Sequence, residues 1–349
     1  MTGQFLNRYY SQFCHIVHRY YPGVIVAGIL ALAAQFISDY YGAPTMLMAL
    51  LFGMALNFLS KEKRCVEGIN FTAQKVLRVG VCLLGARISF DMISAVGLVN
   101  VAITVMAVLA TIGFDIAMSK WFNIDRYFAF LTSGSVAICG ASAALAIAAI
   151  MPKHKKRDEE LIFTVAGVTI LSTFAMILYP ILGQKIGLSG DALGVFLGAT
   201  IHDVAQVVGA GYSVDEPTGD IATIIKLLRV AMLAPVVVIA GLIIRFKIGG
   251  KKIGGRKIDN RGERESPPIL PAFVLGFIVI LLANSLGILP HIIKEGFQIT
   301  SRWFLVMAIA AVGMKIDLSE LRHIGKSAFF LIIAETIFVA VFVTSILFV

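Results

Sequence analysis

The residues best suited to proton or ligand chemistry are three polar side chains within one apolar stretch, His202, Asp203 and Gln206. If the stretch is helical, His202 and Gln206 share a face and Asp203 borders it. An ionisable pair inside an apolar segment is costly, so such pairs usually serve a function. Because histidine titrates near neutral pH, His202 and Asp203 are predicted to couple proton transfer to occupancy, with Gln206 orienting the ligand. A structural hydrogen bond between helices is the alternative.

Two cations follow in the next apolar segment. Lys226 and Arg229 are three positions apart and precede Pro235, which lacks the N–H that continues a helical ladder. A guanidinium binds an oxyanion through two parallel hydrogen bonds and lysine adds a point charge, so the pair is predicted to bind an oxyanion. In the alternative interpretation, the Lys226 ammonium extends to water and Arg229 pairs with Asp203.

A run of small residues, GSVAICGASA, lies in the middle of an apolar segment at positions 134–143. Ser135, Cys139, Gly140 and Ser142 leave the backbone uncrowded, so we expect the helix to be interrupted here. The second half would then begin with free N–H groups and a partial positive charge, which bind an anion. Close packing between two helices is the other explanation for the small residues.

Weaker candidates for the same site are Arg78, Gly313, Lys315 and Glu335. Gly313 and Lys315 mark a second candidate helix break, and Glu335 is an isolated carboxylate that serves either as a structural partner or as a proton carrier. No Walker motif, dinucleotide fingerprint, HExxH or nucleophile elbow stands in a usable context, which argues against an ATP-driven pump and the commoner hydrolases. The cysteines lack CxxC spacing, so disulfides and structural zinc are not expected. No other metal and no cofactor are expected.

Apolar helices must position these residues, because the chain of 349 residues is 58% hydrophobic and only 15% charged. Soluble domains have roughly 25% charged residues, so most soluble folds are excluded. The 32 glycines fit helices that pack closely in a membrane. The net charge is +9, and the lysines and arginines occur in short clusters between apolar stretches. This pattern indicates that they orient the chain in a bilayer rather than bind nucleic acid. We therefore predict an all-α polytopic membrane protein with a single transporter domain.

Hydropathy predicts about eleven transmembrane segments. They cover residues 22–38, 43–59, 72–86, 96–118, 127–151, 160–181, 192–212, 219–245, 268–287, 300–315 and 326–348. We divide the chain into an N-terminal segment with an extra first helix (1–42), a first repeat (43–181) and a second repeat (192–349).

Basic residues predict the orientation. The glycine-rich loop 246–266 carries many lysines and arginines and is predicted to be cytoplasmic, which also places the N-terminus in the cytoplasm. Basic clusters flank both ends of segment 127–151, however, and a straight span cannot satisfy both. Either this segment and segment 192–212 re-enter the membrane, or the topology elsewhere overrides the charge of one loop.

A weak internal repeat supports a transporter. Lys75–Val79 (KVLRV) resembles Lys226–Val230 (KLLRV) at an offset of 151 residues, which would make the two repeats five helices each and inverted. A competing match between Gly85–Ile88 and Gly313–Ile316 gives a different register. Internal symmetry together with interrupted apolar segments is typical of secondary transporters with a site near the middle of the membrane.

Four motifs resemble those of a known family. They are SVAICGASAALA at 135–146, ATIHDVAQVVGAG at 199–211, KLLRVAMLAP at 226–235 and AIAAVGMKIDLSEL at 308–321. With them the chain resembles the YeiH-like family of bacterial inner-membrane proteins described as sulfate exporters. The resemblance implies a relationship to the sodium/proton antiporter and bile-acid carrier superfamily, with two inverted five-helix repeats, crossed broken helices and a homodimer.

We therefore expect a secondary transporter rather than an enzyme, in the bacterial inner membrane. It is expected to export or exchange a small inorganic or sulfur-containing oxyanion such as sulfate or sulfite, coupled to protons or sodium, with the lipid bilayer and no nucleic acid as partners. Two alternatives stay open. One is a cation/proton antiporter in which Asp203 and Glu335 bind the ion, and the other is a membrane enzyme that uses His202, Asp203 and Cys139.

Overall fold

A computed structural model describes residues 2–119, 124–152, 157–249, 272–316 and 326–348, and the regular structure in these ranges is helical. The helices are α1 (Thr2–Tyr41), α2 (Thr45–Ala55), α3 (Val66–Phe71), α4 (Leu77–Leu84), α5 (Phe90–Met118), α6 (Arg126–Ala137), α7 (Ala141–Ile150), α8 (Arg157–Lys185), α9 (Gly190–Thr200), α10 (Val204–Val214), α11 (Glu216–Ala231), α12 (Leu233–Gly249), α13 (Ala272–Ser285), α14 (His291–Lys315) and α15 (Lys326–Leu347). The all-helical class expected from composition is confirmed for these residues.

Six helical stretches of the described chain are long and apolar enough to cross a bilayer. They are Arg19–Tyr41, Val96–Asp115, Glu159–Lys185, Glu216–Ile244, His291–Lys315 and Phe329–Leu347. Their outward faces carry large apolar side chains such as Leu32, which is 60% exposed, and Val341, which is 58% exposed. Apolar surface of this extent suits contact with lipid. The chain is a multi-pass membrane protein, while the count of about eleven segments and the inverted repeats remain predictions.

Two of the predicted segments are interrupted in the middle. Segment 127–151 consists of α6 and α7, so the predicted interruption is present. Segment 192–212 consists of α9 and α10, which are separated at residues 201–203. Our placement of His202, Asp203 and Gln206 on a continuous helix is therefore wrong, because the backbone at His202 is not helical.

Two other expected features differ from the structure or lie outside it. α14 continues through Gly313 to Lys315, so Gly313 does not interrupt the helix. α12 extends to Gly249, which makes the first residues of the predicted basic loop helical. The rest of that loop and the basic cluster at 153–156 lie outside the described residues.

Gly313 instead serves a close crossing between α14 and α2. A Cβ atom added to Gly313 would collide with the Leu50 carbonyl oxygen, and one added to Gly53 would collide with the Ala310 carbonyl oxygen. Beyond the end of α2, the Asn57 amide donates hydrogen bonds to Met314 O at 2.9 Å and Ile316 O at 2.8 Å. We call this contact the glycine crossing; glycine allows the two backbones to touch there because it has no side chain.

Candidate functional site

The interruptions of the two broken helices lie side by side. Gly140, between α6 and α7, has φ +65°, a conformation that favours glycine. A Cβ atom placed on Gly140 would lie 3.9 Å from the His202 carbonyl oxygen and 4.0 Å from Asp203 Cβ. The four half-helix ends therefore meet in one region, which we call the polar crossing and define by residues 138–140 and 201–203.

Local hydrogen bonds explain why each helix stops. The Ser135 hydroxyl donates to Leu131 O at 2.5 Å, and the Gly140 N–H donates to Ser135 O at 2.8 Å instead of continuing the α-helical pattern. In the second broken helix, the Asp203 carboxylate accepts a hydrogen bond from the Ala205 N–H at 2.9 Å. Asp203 is thus the N-cap of α10, a position that aspartate favours.

The carbonyl ends of α6 and α9 are bound by two cations of α11, both completely buried. The Lys226 ammonium donates to Ile138 O and Ile201 O, each at 2.8 Å. The Arg229 guanidinium donates to carbonyls of both broken helices. These bonds run from Nε to Ala137 O at 2.7 Å, from Nη2 to Val136 O at 2.7 Å, and from Nη1 to Gly198 O and Ile201 O at 3.2 Å each.

These bonds give Lys226 and Arg229 backbone partners that the sequence did not suggest. All three nitrogens of Arg229 already donate to backbone carbonyls, so the planar fork is not turned toward a ligand. A helix C-terminus carries roughly half a negative elementary charge, so two such ends offset about one of the two positive charges. The remaining positive charge raises the electrostatic potential of the polar crossing, and direct binding of an oxyanion by these two cations stays a prediction.

The amide ends of α7 and α10 differ in their caps. The first turn of α7 begins at Gly140 with no side-chain cap, and Ser142 in that turn is exposed. α10 has the Asp203 carboxylate, which interacts electrostatically with the exposed Lys315 ammonium at the end of α14. The Ala143 N–H in this turn interacts with the Cys139 side chain, so the preceding amides of Ala141 and Ser142 are the candidate hydrogen-bond donors of the polar crossing.

Gln206 bonds to α8 through two residues that the sequence did not single out. The Ser172 hydroxyl accepts from the Asp203 N–H at 3.1 Å and donates to Gln206 Oε1 at 3.0 Å. Gln206 Nε2 donates to Thr173 Oγ1 at 3.3 Å. The adjacent Ser172 and Thr173 in an otherwise apolar segment were the available signal. Gln206 thus fixes α10 to α8, and its amide is partly committed.

His202 is completely buried and bonds to α15. Its Nε2 lies 3.0 Å from Thr336 Oγ1, and the Thr336 hydroxyl lies 2.7 Å from Ile332 O. Because the Thr336 hydrogen points to Ile332 O, we assign Nε2 as the protonated nitrogen. Nδ1 is buried and has no hydrogen-bond partner in the described chain. A role for His202 in proton coupling stays a prediction.

The remaining candidate residues lie at different places in the structure, and only one of them is part of the polar crossing. Cys139 lies in the polar crossing and is only 5% exposed. Arg78, on α4, is exposed and forms no described contact with the polar crossing. Glu335 contacts neither interruption and lies instead beside Asp115, a carboxylate that was not among the candidates. No group of three or more metal-binding side chains occurs in the described ranges.

An ion-pair cluster fixes the start of α11, the helix that carries Lys226 and Arg229. Arg87 follows α4 and donates to Asp220 Oδ2 at 2.8 Å and Glu216 Oε2 at 2.6 Å. Burial alone would lower the pKa of Arg87, but the hydrogen bonds that its guanidinium donates to both carboxylates raise the pKa above its usual value. The guanidinium therefore stays charged and ties α11 to the α4–α5 connection.

Comparison with known proteins gives consistent matches along the chain. A family profile described as conserved hypothetical protein 698 matches residues 22–332. The UPF0324 membrane protein TauZ of Paracoccus denitrificans is 50% identical over 94% of this chain and 95% of its own length. The UPF0324 membrane protein RB0971 of Rhizobium meliloti is 48% identical over 94% and 92%. A UPF0324 membrane protein of Bacillus cereus is 32% identical over 88% of each chain. No solved structure matches this chain.

Proposed function

Because this chain belongs to the conserved hypothetical protein 698 family of UPF0324 membrane proteins, as the YeiH-like motifs predicted, we propose that it is a secondary transporter of a small anion. Two interrupted helices that meet within a helical membrane protein are the arrangement in which such carriers bind their substrates. Here α6–α7 and α9–α10 belong to the two predicted repeats, so movement of one repeat against the other would change access to the polar crossing.

The excess of basic groups at the polar crossing is the observation that favours an anion over a cation as the substrate. Lys226, Arg229 and Lys315 are basic residues, and Asp203 is the carboxylate that interacts with Lys226 and Lys315. The carbonyl ends of α6 and α9 offset part of this excess, while the amide ends of α7 and α10 add to it. A cation would meet net repulsion here. Glu335, which a cation site would need as a second carboxylate, contacts other helices.

We assign the residues distinct roles. The first-turn amides of α7, together with Ser142, would donate hydrogen bonds to the anion, and Lys315 would attract it. Lys226 and Arg229 would keep the two carbonyl ends together and supply positive potential from behind. His202 and Asp203 would couple a proton to occupancy, as predicted. Sulfate, sulfite and small sulfonates suit a site of N–H donors and diffuse positive charge.

A thermal-shift screen of the purified full-length protein tests the class of ligand. Sulfate, sulfite, thiosulfate, methanesulfonate, phosphate, bicarbonate and sodium are compared at constant ionic strength. A ligand that binds only the folded state stabilises it by about 2.7 kcal/mol at a hundred times its Kd. We expect at least one oxyanion to raise the melting temperature and sodium to leave it unchanged.

A matched pair of variants makes the screen specific to the polar crossing. Lys315→Gln is expected to weaken binding of the stabilising anion about tenfold, a change of about 1.4 kcal/mol. Lys294→Gln, on the same helix α14, should leave the affinity unchanged. Stabilisation by sodium and by no oxyanion would refute the proposal. Recovery of the bound anion in altered chemical form would favour the membrane enzyme.

A further inference from the structure

A second buried polar cluster lies between α5, α6 and α15. The Asp115 carboxyl of α5 and the Glu335 carboxyl of α15 are adjacent, and both side chains are completely inaccessible to solvent. The Thr132 hydroxyl of α6 lies 2.9 Å from Glu335 Oε1, and Ser133 lies next to Asp115. Polar residues at such positions are rarely only structural in a membrane segment.

The pair lacks the partners that two ionised carboxylates would require. Both oxygens of Asp115 and Oε2 of Glu335 are buried without a hydrogen-bond donor in the described chain. No salt bridge of the described residues involves either carboxylate. Two negative charges side by side in a medium of low dielectric constant repel strongly, and each also loses its hydration. A ligand with positive charge must therefore complete the cluster.

A proton fits this requirement best. A carboxylic acid donates one hydrogen bond to a neighbouring carboxylate, so one proton both removes a charge and supplies the missing donor. A metal ion needs additional oxygen ligands, and the described residues around the pair form no metal-binding group of three or more. Thr132 and Ser133 offer hydroxyls that already lie near carbonyls of their own helix, Ala129 O and Phe130 O.

We propose that Asp115 and Glu335 form a proton-binding site in which one proton is shared between the two carboxyls and is released when the helices that hold them separate. No other titratable side chain of the helices packed on α5 and α15 faces either carboxyl in the described ranges, neither on α6, α8 and α9 nor on α11 and α13. His202 is the nearest titratable group with a described connection, through Thr336, the neighbour of Glu335 on α15.

The position of the pair links the proton to both broken helices. Glu335 contacts α6 through Thr132, between one and two turns before the interruption, and Thr336 binds His202 at the second interruption. Loss of the shared proton would make α5 and α15 repel each other and would shift α15 against α6 and α9. The assignment of this proton as the coupling proton rests on the proposed transport function, whereas its binding by the pair does not.

A pH titration followed by infrared spectroscopy detects the shared proton directly, through the protonated carboxyl group. The full-length protein in phosphatidylcholine nanodiscs is titrated from pH 5 to pH 9, and the carbonyl stretch of protonated carboxylic acid is followed. Ordinary carboxyls, with pKa values of about 4, do not contribute at pH 7. We expect a protonated-carboxyl band at pH 7 in the wild type and its loss in both Asp115→Asn and Glu335→Gln. Each amide donates to the remaining carboxylate and so imitates the protonated pair, which keeps the protein folded.

The control is Glu295→Gln, at a carboxylate that is exposed on α14; the band should keep its full amplitude. Absence of the band from the folded wild type at pH 7, or its persistence at full amplitude in both pair variants, would overturn the proposal. A band that disappears when sodium chloride replaces choline chloride would assign the pair to a metal cation and also overturn it. None of these outcomes depends on anion binding, so failure here is distinguishable from failure of the transport proposal.

Discussion

The polar crossing and the glycine crossing show two different ways in which helices of this membrane protein pack against each other. At the glycine crossing, two intact backbones touch at Gly53 and Gly313, and one neutral amide, that of Asn57, binds the carbonyls at the end of α14. At the polar crossing, both helices are interrupted, and two buried cations from α11 bind five carbonyls.

The difference follows from the number of backbone groups left without partners. An intact helix satisfies its own N–H and C=O groups, so its contact with another helix needs only small residues. An interrupted helix leaves carbonyls at one side of the break and amides at the other. Because buried carbonyls must be bonded, the polar crossing requires donors from α11, and it also presents the first-turn amides of α7, which the glycine crossing lacks. Chemistry is therefore expected at the polar crossing, and rigidity at the glycine crossing.

The largest effect is expected from removal of the guanidinium at the polar crossing. Arg229→Ala would leave Val136 O, Ala137 O and Gly198 O without their donor, and each buried unpaired group costs about 1–3 kcal/mol. We expect a loss of folded protein, measured by size-exclusion chromatography after detergent extraction. Arg78→Ala removes the exposed arginine at the repeat-related position and should leave the yield unchanged. Equal behaviour of the two variants would mean that the carbonyls do not depend on Arg229.

An intermediate effect is expected at the glycine crossing. Gly313→Ala places a methyl group against the Leu50 carbonyl, and the helices must separate, at a cost of about 1–3 kcal/mol. The melting temperature should fall, while the stabilisation by the bound anion should persist. Gly296→Ala, at an open position of the same helix, should not lower the melting temperature, since alanine favours a helix more than glycine. Loss of anion binding in Gly313→Ala alone would contradict the separation of roles between the crossings.

The smallest effect is expected at the start of α11. Glu216→Gln removes the more exposed of the two carboxylates that bind Arg87; the Glu216 side chain is 64% exposed. A surface ion pair contributes about 0–1 kcal/mol and is screened by salt, so the melting temperature should change little and less at high salt. A loss as large as that of Arg229→Ala would show that the ion-pair cluster, rather than the bonds to carbonyls, holds α11 in place.

The candidate residues could be identified from the sequence. Their roles could be predicted only where the sequence also showed which groups they would contact. Gly140 and its small neighbours indicated an interruption, because a run of small and polar residues in the middle of an apolar segment is typical of a broken helix. Lys226 and Arg229 could be recognised as charges within an apolar segment. Their partners could not be predicted, since backbone carbonyls have no sequence signature. Asp115 and Glu335 are separated by more than two hundred residues, and neither segment shows that the other is near.

The sequence by itself determined that this is an all-helical membrane protein, because the composition and length of each apolar segment decide whether it is stable in lipid or in water. It also determined which residues carry charge within that apolar surrounding. Only the tertiary structure decided which unpaired groups those charges meet. Arg229 faces carbonyls rather than a ligand, Asp203 caps α10, and Glu335 faces Asp115. The physical reason is that the cost of a buried charge is a property of its residue, whereas the compensation is a property of the neighbours that folding brings to it.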